Sequence, residues 1–326
     1  MDTGTHVVMG IALGGLATLD PVIASDPVLK QTIMIATIVG SQAPDFDTVL
    51  KLKNNAAYIR NHRGITHSLP AIFLWPFLIT GAILFFVPEV SALHVLLWSF
   101  IAVFLHVFVD IFNAYGTQAL RPIYNKWIAL GVINTFDPFI FTAHIVAIII
   151  WQNNFHPGYV FLALYIILLF YYLWRIQVKH QVVQEARKFV PDATHVFVSP
   201  TMRWNKWHVV IRSKEKLIVA QSIDKEMQFF ETYPFEPIPN NPIITAARND
   251  KNLAAFLSFS PTYRWEIEKR DTQYEVRFID LRYRTKGHYP FVAIVQLNKD
   301  LDVISSYTGW VFSEKTLRRK LHIATQ

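Results

Sequence analysis

Apolar residues dominate the first half of the chain in four near-continuous runs, at residues 69–87, 90–111, 136–151 and 159–174. A helix needs about 20 apolar residues to cross a bilayer, so each run is roughly long enough to be a transmembrane span. Two shorter stretches, residues 6–19 and 31–39, predict buried or interfacial helices, and Gly10 and Gly14 on the first permit close packing. The pattern predicts an all-α polytopic membrane domain of about four spans.

The pattern changes after residue 175. A polar segment at residues 176–190 predicts a helical connector, after which hydrophobic and polar residues begin to alternate with a period of two. The predicted strands are residues 206–212, 217–221, 228–233, 263–269, 274–283 and 290–297, and a basic helix near residues 313–322 follows them. We therefore predict a membrane domain at residues 1–175, a connector at 176–190, and a soluble β-rich or α+β domain at 191–326.

The charges divide the chain at about the same point. Of the 326 residues, 52% are hydrophobic and 17% are charged, which is unusually apolar for a soluble protein. Residues 1–175 contain eight Lys/Arg and eight Asp/Glu, so the net charge of +7 belongs to the C-terminal part. A basic domain at a membrane could bind anionic headgroups or nucleic acid, and the simpler interpretation is a solvated surface.

Lys and Arg are absent from the two short turns at residues 88–91 and 152–157. They occur in the segments that four spans would place together on the other side of the membrane. The positive-inside rule then predicts a multi-pass protein of the inner membrane with both termini in the cytoplasm.

Ionisable residues are costly at membrane depth, so the few in the first half are candidates for function. The chain has no cysteine, and a transition-metal site would have to use imidazole and carboxylate ligands. His106 and Asp110 stand four residues apart on a predicted helix, where both side chains project from one face and can grip a single ion. A hydrogen bond between the two side chains is the alternative interpretation.

Two loop motifs carry further candidate ligands. Asp45 and Asp47 follow a proline that ends the preceding helix, on a turn where alternate carboxylates can converge on a cation or cap the next helix. His62 and His67 bracket a glycine turn just before the apolar run at residues 69–87. Helix capping would explain one of the two carboxylates, but not both of them together with a second cluster of histidines. At least one carboxylate is therefore expected to be a ligand.

The second loop motif also predicts an anion site. Thr66, His67 and Ser68 lie at the N-terminus of a predicted transmembrane helix, whose free N–H groups and dipole suit a phosphate, and Arg63 would add further donors. The alternative is that Ser68 caps the helix while Arg63 binds lipid headgroups. His6 is isolated in sequence, and its role as a ligand depends on the other groups.

At these residues the chain resembles the YdjM-like family of membrane-bound metal-dependent hydrolases, over roughly residues 1–175. Its C-terminal extension is similar to that of the Bacillus YfhP-type members. The motifs are Thr5-His6, Pro44-Asp45-Phe46-Asp47, His62-Arg63-Gly64-Ile65-Thr66-His67-Ser68 and His106-Val107-Phe108-Val109-Asp110. We expect metal ligands among His6, Asp47, His62, His67, His106 and Asp110, with Asp45 and Arg63 in catalytic roles.

The order of these residues also resembles part of the zinc site of bacterial phospholipase C and the related single-strand nucleases. That resemblance implies that Asp47, His67 or His62, His106 and Asp110 hold one ion, with Asp110 bridging towards a second ion near His6. The chain departs from the pattern because no obvious counterparts of the remaining ligands, a His and a His-x-x-x-Glu motif, follow Asp110, which favours one or two ions over three.

The leading hypothesis is a metal-dependent hydrolase of a phosphoester, in a lipid or another amphiphile that reaches the cytoplasmic leaflet. Imidazole and carboxylate ligands suit zinc first, then manganese or iron. The rival hypothesis is a membrane-tethered regulatory or scaffold protein, with a structural metal site and a C-terminal domain that binds a partner. A transporter with an ion site at the membrane midplane fits less well, because the clusters fall at helix ends and in loops.

Overall fold

A computed structural model describes residues 1–285 and 287–323, which form two compact units. The first unit contains residues Met1–Asp47 and His62–Lys179. The second contains Thr48–Asn61 together with the chain from His180 onward. The polypeptide therefore leaves the first unit between Asp47 and His62, contributes a short segment to the second, and returns.

The first unit is helical. Its helices are α1 (Thr3–Leu16), α2 (Pro21–Ser25), α3 (Pro27–Gly40), α5 (Leu69–Phe86), α6 (Ala92–Ile111), α7 (Pro138–Gln152) and α8 (Pro157–Phe189), whose residues from His180 onward belong to the second unit, as does α4 (Asn55–Asn61). Side chains of Asp2, Asp20, Asp26 and Asp137 accept backbone N–H bonds at the first turns of α1, α2, α3 and α7. These caps explain why each helix begins where it does.

Three helices, α5, α6 and α8, are long and apolar enough to cross a membrane, with mean hydropathies of 2.1, 2.2 and 1.9. The fourth predicted span is α7, which has 15 residues and is shorter, as are α1 and α3. Helix α8 continues without a break through the predicted connector to Phe189. The helical membrane domain predicted from sequence is thus confirmed, with three helices of spanning length among the described residues.

Helices α1 and α3 pack closely together, just before the segment that carries Asp45 and Asp47. A Cβ atom on Gly10 would lie 2.5 Å from Ser41 Oγ and 2.8 Å from Ile38 Cα, and one on Gly14 would lie 2.9 Å from Met34 Cα. Only glycine allows this approach of the two backbones. The packing predicted from the glycine spacing is confirmed.

The second unit contains two four-stranded antiparallel sheets, with sheet orders β1-β2-β3-β4 and β5-β6-β7-β8. The strands are β1 (His195–Pro200), β2 (Lys206–Arg212), β3 (Lys216–Ile223), β4 (Glu226–Pro234), β5 (Tyr263–Lys269), β6 (Gln273–Asp280), β7 (Phe291–Asn298) and β8 (Val303–Trp310). Helices α9 (Pro242–Arg248) and α10 (Lys251–Phe259) connect the two sheets, and α11 (Glu314–Ile323) follows β8.

Both faces of the second sheet are covered. On β7, Phe291, Ala293, Val295 and Leu297 belong to a core shared with α9 and α10. The intervening residues Val292 and Ile294 form a separate core with Leu317 and Leu321 of α11. Alternate side chains of a strand point to opposite faces, which explains why nearly every residue of β7 is buried.

The sequence pattern missed β1 and β8 and the helices α9 and α10. Strand β8 reads as a turn because it contains Ser305, Ser306, Thr308 and Gly309. The hydroxyl of Ser305 donates to Leu321 O at 2.6 Å and that of Thr308 donates to Val292 O at 3.2 Å. Hydrogen bonds to neighbouring elements allow these polar residues to be buried in a strand.

Helix α4 is the segment that the N-terminal half contributes to the second unit. The amide of Asn55 donates to Tyr307 Oη at 3.1 Å, and the Ile59 side chain packs against the core formed by α9, α10 and the second sheet. This segment begins and ends directly beside Asp47 and His62. The second unit is therefore covalently joined to both loop motifs as well as to α8.

We predict that a fragment comprising residues 190–326 is soluble when expressed alone and gives a circular dichroism spectrum dominated by strand. Fusing residues 48–61 to it should raise the free energy of unfolding by about 1–2 kcal/mol, because Ile59 is then removed from water. Urea denaturation measures this difference, and Ile59→Ala in the fusion should abolish most of the gain. A strongly helical spectrum, or solubility only in detergent, would contradict the boundary.

Candidate metal centre

Three local structures in the first unit bring candidate ligands together. Asp45 lies in a 3₁₀ segment, Ala43–Leu52, that follows α3, and His67 ends a 3₁₀ turn, Ile65–His67, just before α5. His106 and Asp110 lie on the last two turns of α6. Arg63 adopts a positive φ of 59° ahead of Gly64, which lets the chain turn sharply into the segment that carries His67.

The four ligand atoms of Asp45, His67, His106 and Asp110 all lie within 4.8 Å of one another. His67 Nε2 lies 3.2 Å from His106 Nε2, and 3.6 Å from both Asp45 Oδ1 and Asp110 Oδ2. His106 Nε2 lies 3.8 Å from the same two carboxylate oxygens. For ligands about 2.0–2.1 Å from a tetrahedral zinc ion, the distance between ligands is about 3.3–3.4 Å. The group could therefore hold a metal ion.

Hydrogen bonds orient both imidazoles so that Nε2 faces this centre. The Nδ1–H of His106 donates to Ser41 O at 2.6 Å. The Nδ1–H of His67 is 3.1 Å from Thr66 Oγ1, which in turn donates to Asp47 Oδ2 at 2.6 Å. A donor bond at Nδ1 leaves the lone pair on Nε2, as metal-ligating histidines require.

The environment keeps the ligands in the forms that bind cations. Burial, together with neighbouring His106 and Arg63, lowers the pKa of His67 well below its usual value, so the imidazole is neutral. Burial by itself would raise the pKa of Asp45, but the His106 and Arg63 side chains lower it below its usual range. Asp45 Oδ1 is buried and has no hydrogen-bond partner among the described residues. A buried carboxylate oxygen without a partner fits a site that a cation would complete.

Asp47 and His62 lie beside this centre and bond to each other, with His62 Nδ1 2.6 Å from Asp47 Oδ1. The other oxygen of Asp47 accepts from the backbone N–H of Arg63 at 2.9 Å and from Thr66. Asp45, Asp47 and His62 also form a second group whose ligand atoms lie close enough to share an ion. In this arrangement Asp47 holds the loop that presents His67, while Asp45 reaches the four-atom centre.

His6 and Arg63 surround Asp110 on the remaining sides. The His6 ring stacks on His106 with centroids 3.7 Å apart, and its Nε2 lies 3.4 Å from Asp110 Oδ1 and 3.0 Å from the Met1 amino group. The Met1 amino group also contacts Asp110 Oδ1. Arg63 is buried, with Nε 3.2 Å from Asp110 Oδ2 and Nη2 donating to Met1 O at 3.0 Å. Its guanidinium is thus directed at a carboxylate of the centre.

Sequence reasoning missed two residues that support the site, Ser41 and Asn113. Ser41 contributes only its backbone carbonyl, for which no side-chain pattern exists. Asn113 donates from Nδ2 to Asp110 Oδ1 at 3.3 Å, and it lies three residues beyond Asp110, on the same side of the helix end. That spacing is the signal from which Asn113 could have been found.

Comparison with known proteins places this chain among membrane proteins. A model of the family described as "YdjM inner membrane protein" matches residues 1–182, more than half of the chain. The chain belongs to the YdjM inner membrane protein family. Models described as "YfhP middle domain" and "YfhP C-terminal alpha/beta plait domain" match residues 191–233 and 242–321.

The chain is also similar over its whole length to a protein of Bacillus subtilis (strain 168) described as "Uncharacterized protein YfhP". The two are 54% identical over 326 residues, which cover all of both chains. No solved structure matches the chain. The family and the two-part architecture predicted from the motifs are therefore confirmed.

We predict that His106→Ala and Asp110→Ala each greatly lower the metal content of the purified protein, measured by mass spectrometry of bound metal. Each substitution removes one of the four ligand atoms. Asp47→Ala should weaken binding by only about 10–100-fold, as expected when a supporting hydrogen bond to a ligand is lost.

His144→Ala is the matched control for these variants. His144 is also a buried helical histidine, but its Nδ1 donates to Ile140 O at 2.8 Å within α7. This variant should keep its full metal content. Well-folded His106 and Asp110 variants that also kept theirs would contradict a shared metal centre.

Proposed function

We propose that the protein is a membrane-bound metal-dependent hydrolase that cleaves a phosphoester in an amphiphile at the cytoplasmic leaflet. The observation that carries this proposal is the convergence of Asp45, His67, His106 and Asp110 at tetrahedral spacing inside a membrane unit. Imidazole and carboxylate ligands favour zinc, then manganese or iron. Such an ion supplies Lewis acidity towards a water molecule and a phosphoryl oxygen.

Asp45 is the residue best placed to handle a proton during hydrolysis. Its side chain is 15% exposed, whereas those of His67, His106 and Asp110 are 0% exposed. A substrate and a water molecule would therefore approach the centre on the side of Asp45. If the attacking water replaced Asp45 at its corner of the centre, the ionised carboxylate beside it could accept a proton from that water and release it to solvent.

Arg63 is proposed to balance negative charge at the centre. Its Nε lies 3.2 Å from Asp110 Oδ2, so the guanidinium could stabilise the negative charge that develops on a bound phosphoryl group. Two N–H groups near the start of α5 already have backbone partners. Ser68 N–H already donates to Ile65 O, and Leu69 N–H donates to Arg121 O.

We infer that the site faces the cytoplasm, with both termini on that side. The turn between α5 and α6 and the turn between α7 and α8 contain no Lys or Arg, which supports this orientation. Helices joined by such short turns are antiparallel neighbours, so α7 should return beside α8 although it has only 15 residues.

Reporter fusions test the orientation. A fusion at residues 88–91 should report an extracytoplasmic location, and a fusion at the C-terminus should report a cytoplasmic one. If the C-terminal fusion instead reported an extracytoplasmic location, that result would contradict both the topology and the cytoplasmic site.

A structural metal centre in a scaffold protein is the second candidate function. One observation favours it: protein side chains supply all four corners of the tetrahedron, as in structural zinc sites, and three of them are fully buried. In that case the ion would hold α6 to the two loop motifs, and the second unit would bind a partner.

Activity measurements on metal-loaded protein in nanodiscs separate the two functions. We predict hydrolysis of membrane-anchored phosphoesters, tested on phospholipids and isoprenoid phosphates with oligonucleotides as substrates that lack an anchor, and loss of this hydrolysis in His106→Ala. Arg63→Ala should retain the metal, because the ion itself balances the charge of Asp110, yet lose activity by about 10²–10³-fold. Absence of hydrolysis, together with a fall in melting temperature on chelation, would instead support the scaffold.

A further inference from the structure

A second group of reactive side chains lies in the first unit, at the opposite end of α6 from the candidate metal centre. It consists of Ser91, which directly precedes α6, His94 on the first turn of α6, and Asp20 at the start of α2. Ser91 and Asp110 are separated by about 28 Å along the helix, at about 1.5 Å per residue. The group is therefore separate from the metal centre and needs its own functional explanation.

His94 contacts both other members of the group, one through each ring nitrogen. Its Nδ1 lies 2.7 Å from Ser91 Oγ, and its Nε2 lies 3.3 Å from Asp20 Oδ2. A proton held on Nε2 by the carboxylate leaves a lone pair on Nδ1, which can accept the proton of the Ser91 hydroxyl. A nucleophile bonded to a base that a third group orients is the arrangement of a Ser-His-Asp triad.

Helix capping does not account for this arrangement. A serine at the N-cap position normally accepts a hydrogen bond from a backbone N–H of the first turn, but the Ser91 side chain makes no such bond. Asp20 caps α2 with its Oδ1, which accepts from Val22 N–H at 2.9 Å, and it faces His94 with its Oδ2. The contact between Asp20 and His94 is therefore additional to capping, and Ser91 bonds to His94 in place of capping α6.

The start of α6 supplies hydrogen-bond donors next to Ser91. The first N–H groups of a helix have no intrahelical partner, and they lie at the positive end of the helix dipole. Val95 N–H, which donates to Ser91 O at 3.2 Å, is the first N–H of α6 with a backbone partner among the described residues. The N–H groups of Ala92 and Leu93 can therefore stabilise an oxyanion that forms when Ser91 attacks a carbonyl group.

We propose that Ser91, His94 and Asp20 form a second hydrolytic site, which cleaves a carboxylic ester of a membrane amphiphile. A serine with an imidazole base and an oxyanion site is suited to acyl transfer. Two exposed apolar side chains, Leu93 at 72% and Val22 at 52%, lie two residues from Ser91 and Asp20. The start of a helix of spanning length lies at the boundary of the bilayer, where the ester groups of amphiphiles also lie.

Hydrolysis at this site needs only these side chains and water. Ser91 Oγ attacks the carbonyl carbon while its proton passes to His94 Nδ1, and His94 gives this proton to the alcohol as the ester C–O bond breaks. Water then attacks the acyl-serine and loses a proton to His94, and the carboxylic acid leaves as Ser91 regains its proton. Ser91 and His94 are the catalytic residues, whereas Asp20 is a positioning residue that orients the imidazole.

The test uses the full-length protein in nanodiscs and an alkyl fluorophosphonate, which bonds covalently to the hydroxyl oxygen of an activated serine. Mass spectrometry should find the label on Ser91, and His94→Gln should slow this labelling by about 10²–10⁴-fold, the usual contribution of a general base. Ser25 is the matched control, because it is exposed and its hydroxyl donates to Val22 O at 3.2 Å. Ser25→Ala should leave the labelling of Ser91 unchanged.

Asp20→Asn separates positioning from a structural role. Asparagine caps a helix as well as aspartate does, so the melting temperature should stay the same. Labelling of Ser91 should slow by about 10–10²-fold, less than after loss of a buried aspartate, because the Asp20 side chain is 35% exposed. Unchanged labelling in this variant would mean that Asp20 is a cap alone and would overturn the triad.

An ester assay completes the test. The unaltered protein should hydrolyse a long-chain fatty acid ester of a fluorogenic alcohol, and Ser91→Ala should lose this activity. The assay reports cleavage of carboxylic esters, so its outcome does not depend on the proposed metal-dependent function. Labelling of Ser91 no faster than that of Ser25, or unaffected by His94→Gln, would overturn the proposal. So would absence of ester hydrolysis, or hydrolysis that persists in Ser91→Ala and disappears on chelation of metal.

Discussion

Asp45 and Asp110 direct carboxylate oxygens into one small, water-poor volume at the end of the membrane unit, and the surrounding structure depends on how that negative charge is balanced. Buried carboxylates are unfavourable unless a cation or hydrogen-bond donors offset the loss of solvent. Arg63 provides one positive charge beside Asp110. The neutral imidazoles of His67 and His106 direct Nε2 lone pairs, and not N–H groups, into this volume. Lone pairs bind a divalent cation, whereas they cannot donate hydrogen bonds to the carboxylates.

The geometry of this centre also depends on how closely α1 packs against the end of α3. The absence of a side chain at Gly10 lets α1 approach the end of α3, where Ser41 offers its carbonyl to His106. The same approach keeps His6 at the start of α1 stacked on the His106 ring. A larger residue at Gly10 would push the backbones of α1 and α3 apart and so move the Ser41 carbonyl that orients His106. The position of this candidate ligand therefore depends on a glycine at position 10.

The segment of residues 48–61 gives the second unit a direct covalent connection to the centre. It leaves the membrane unit immediately after Asp47 and returns at His62, two residues that are themselves hydrogen-bonded. Its helix α4 folds against α10 and β8, with Ile59 in their core. The chain therefore passes between the two units at three points, after Asp47, before His62 and after Lys179.

The sequence by itself determined the membrane domain, most strands of the second unit and the set of ionisable residues at the site, because hydrophobic periodicity and the cost of buried charge are local properties of a chain. Only the tertiary structure decided the roles within the set. Sequence reasoning assigned Asp47 to the metal and Asp45 to catalysis, yet Asp45 faces His67 and His106 while Asp47 bonds to His62 and Thr66. That difference, like the crossing of residues 48–61 to the other unit, depends on contacts between residues far apart in the chain, which no local pattern encodes.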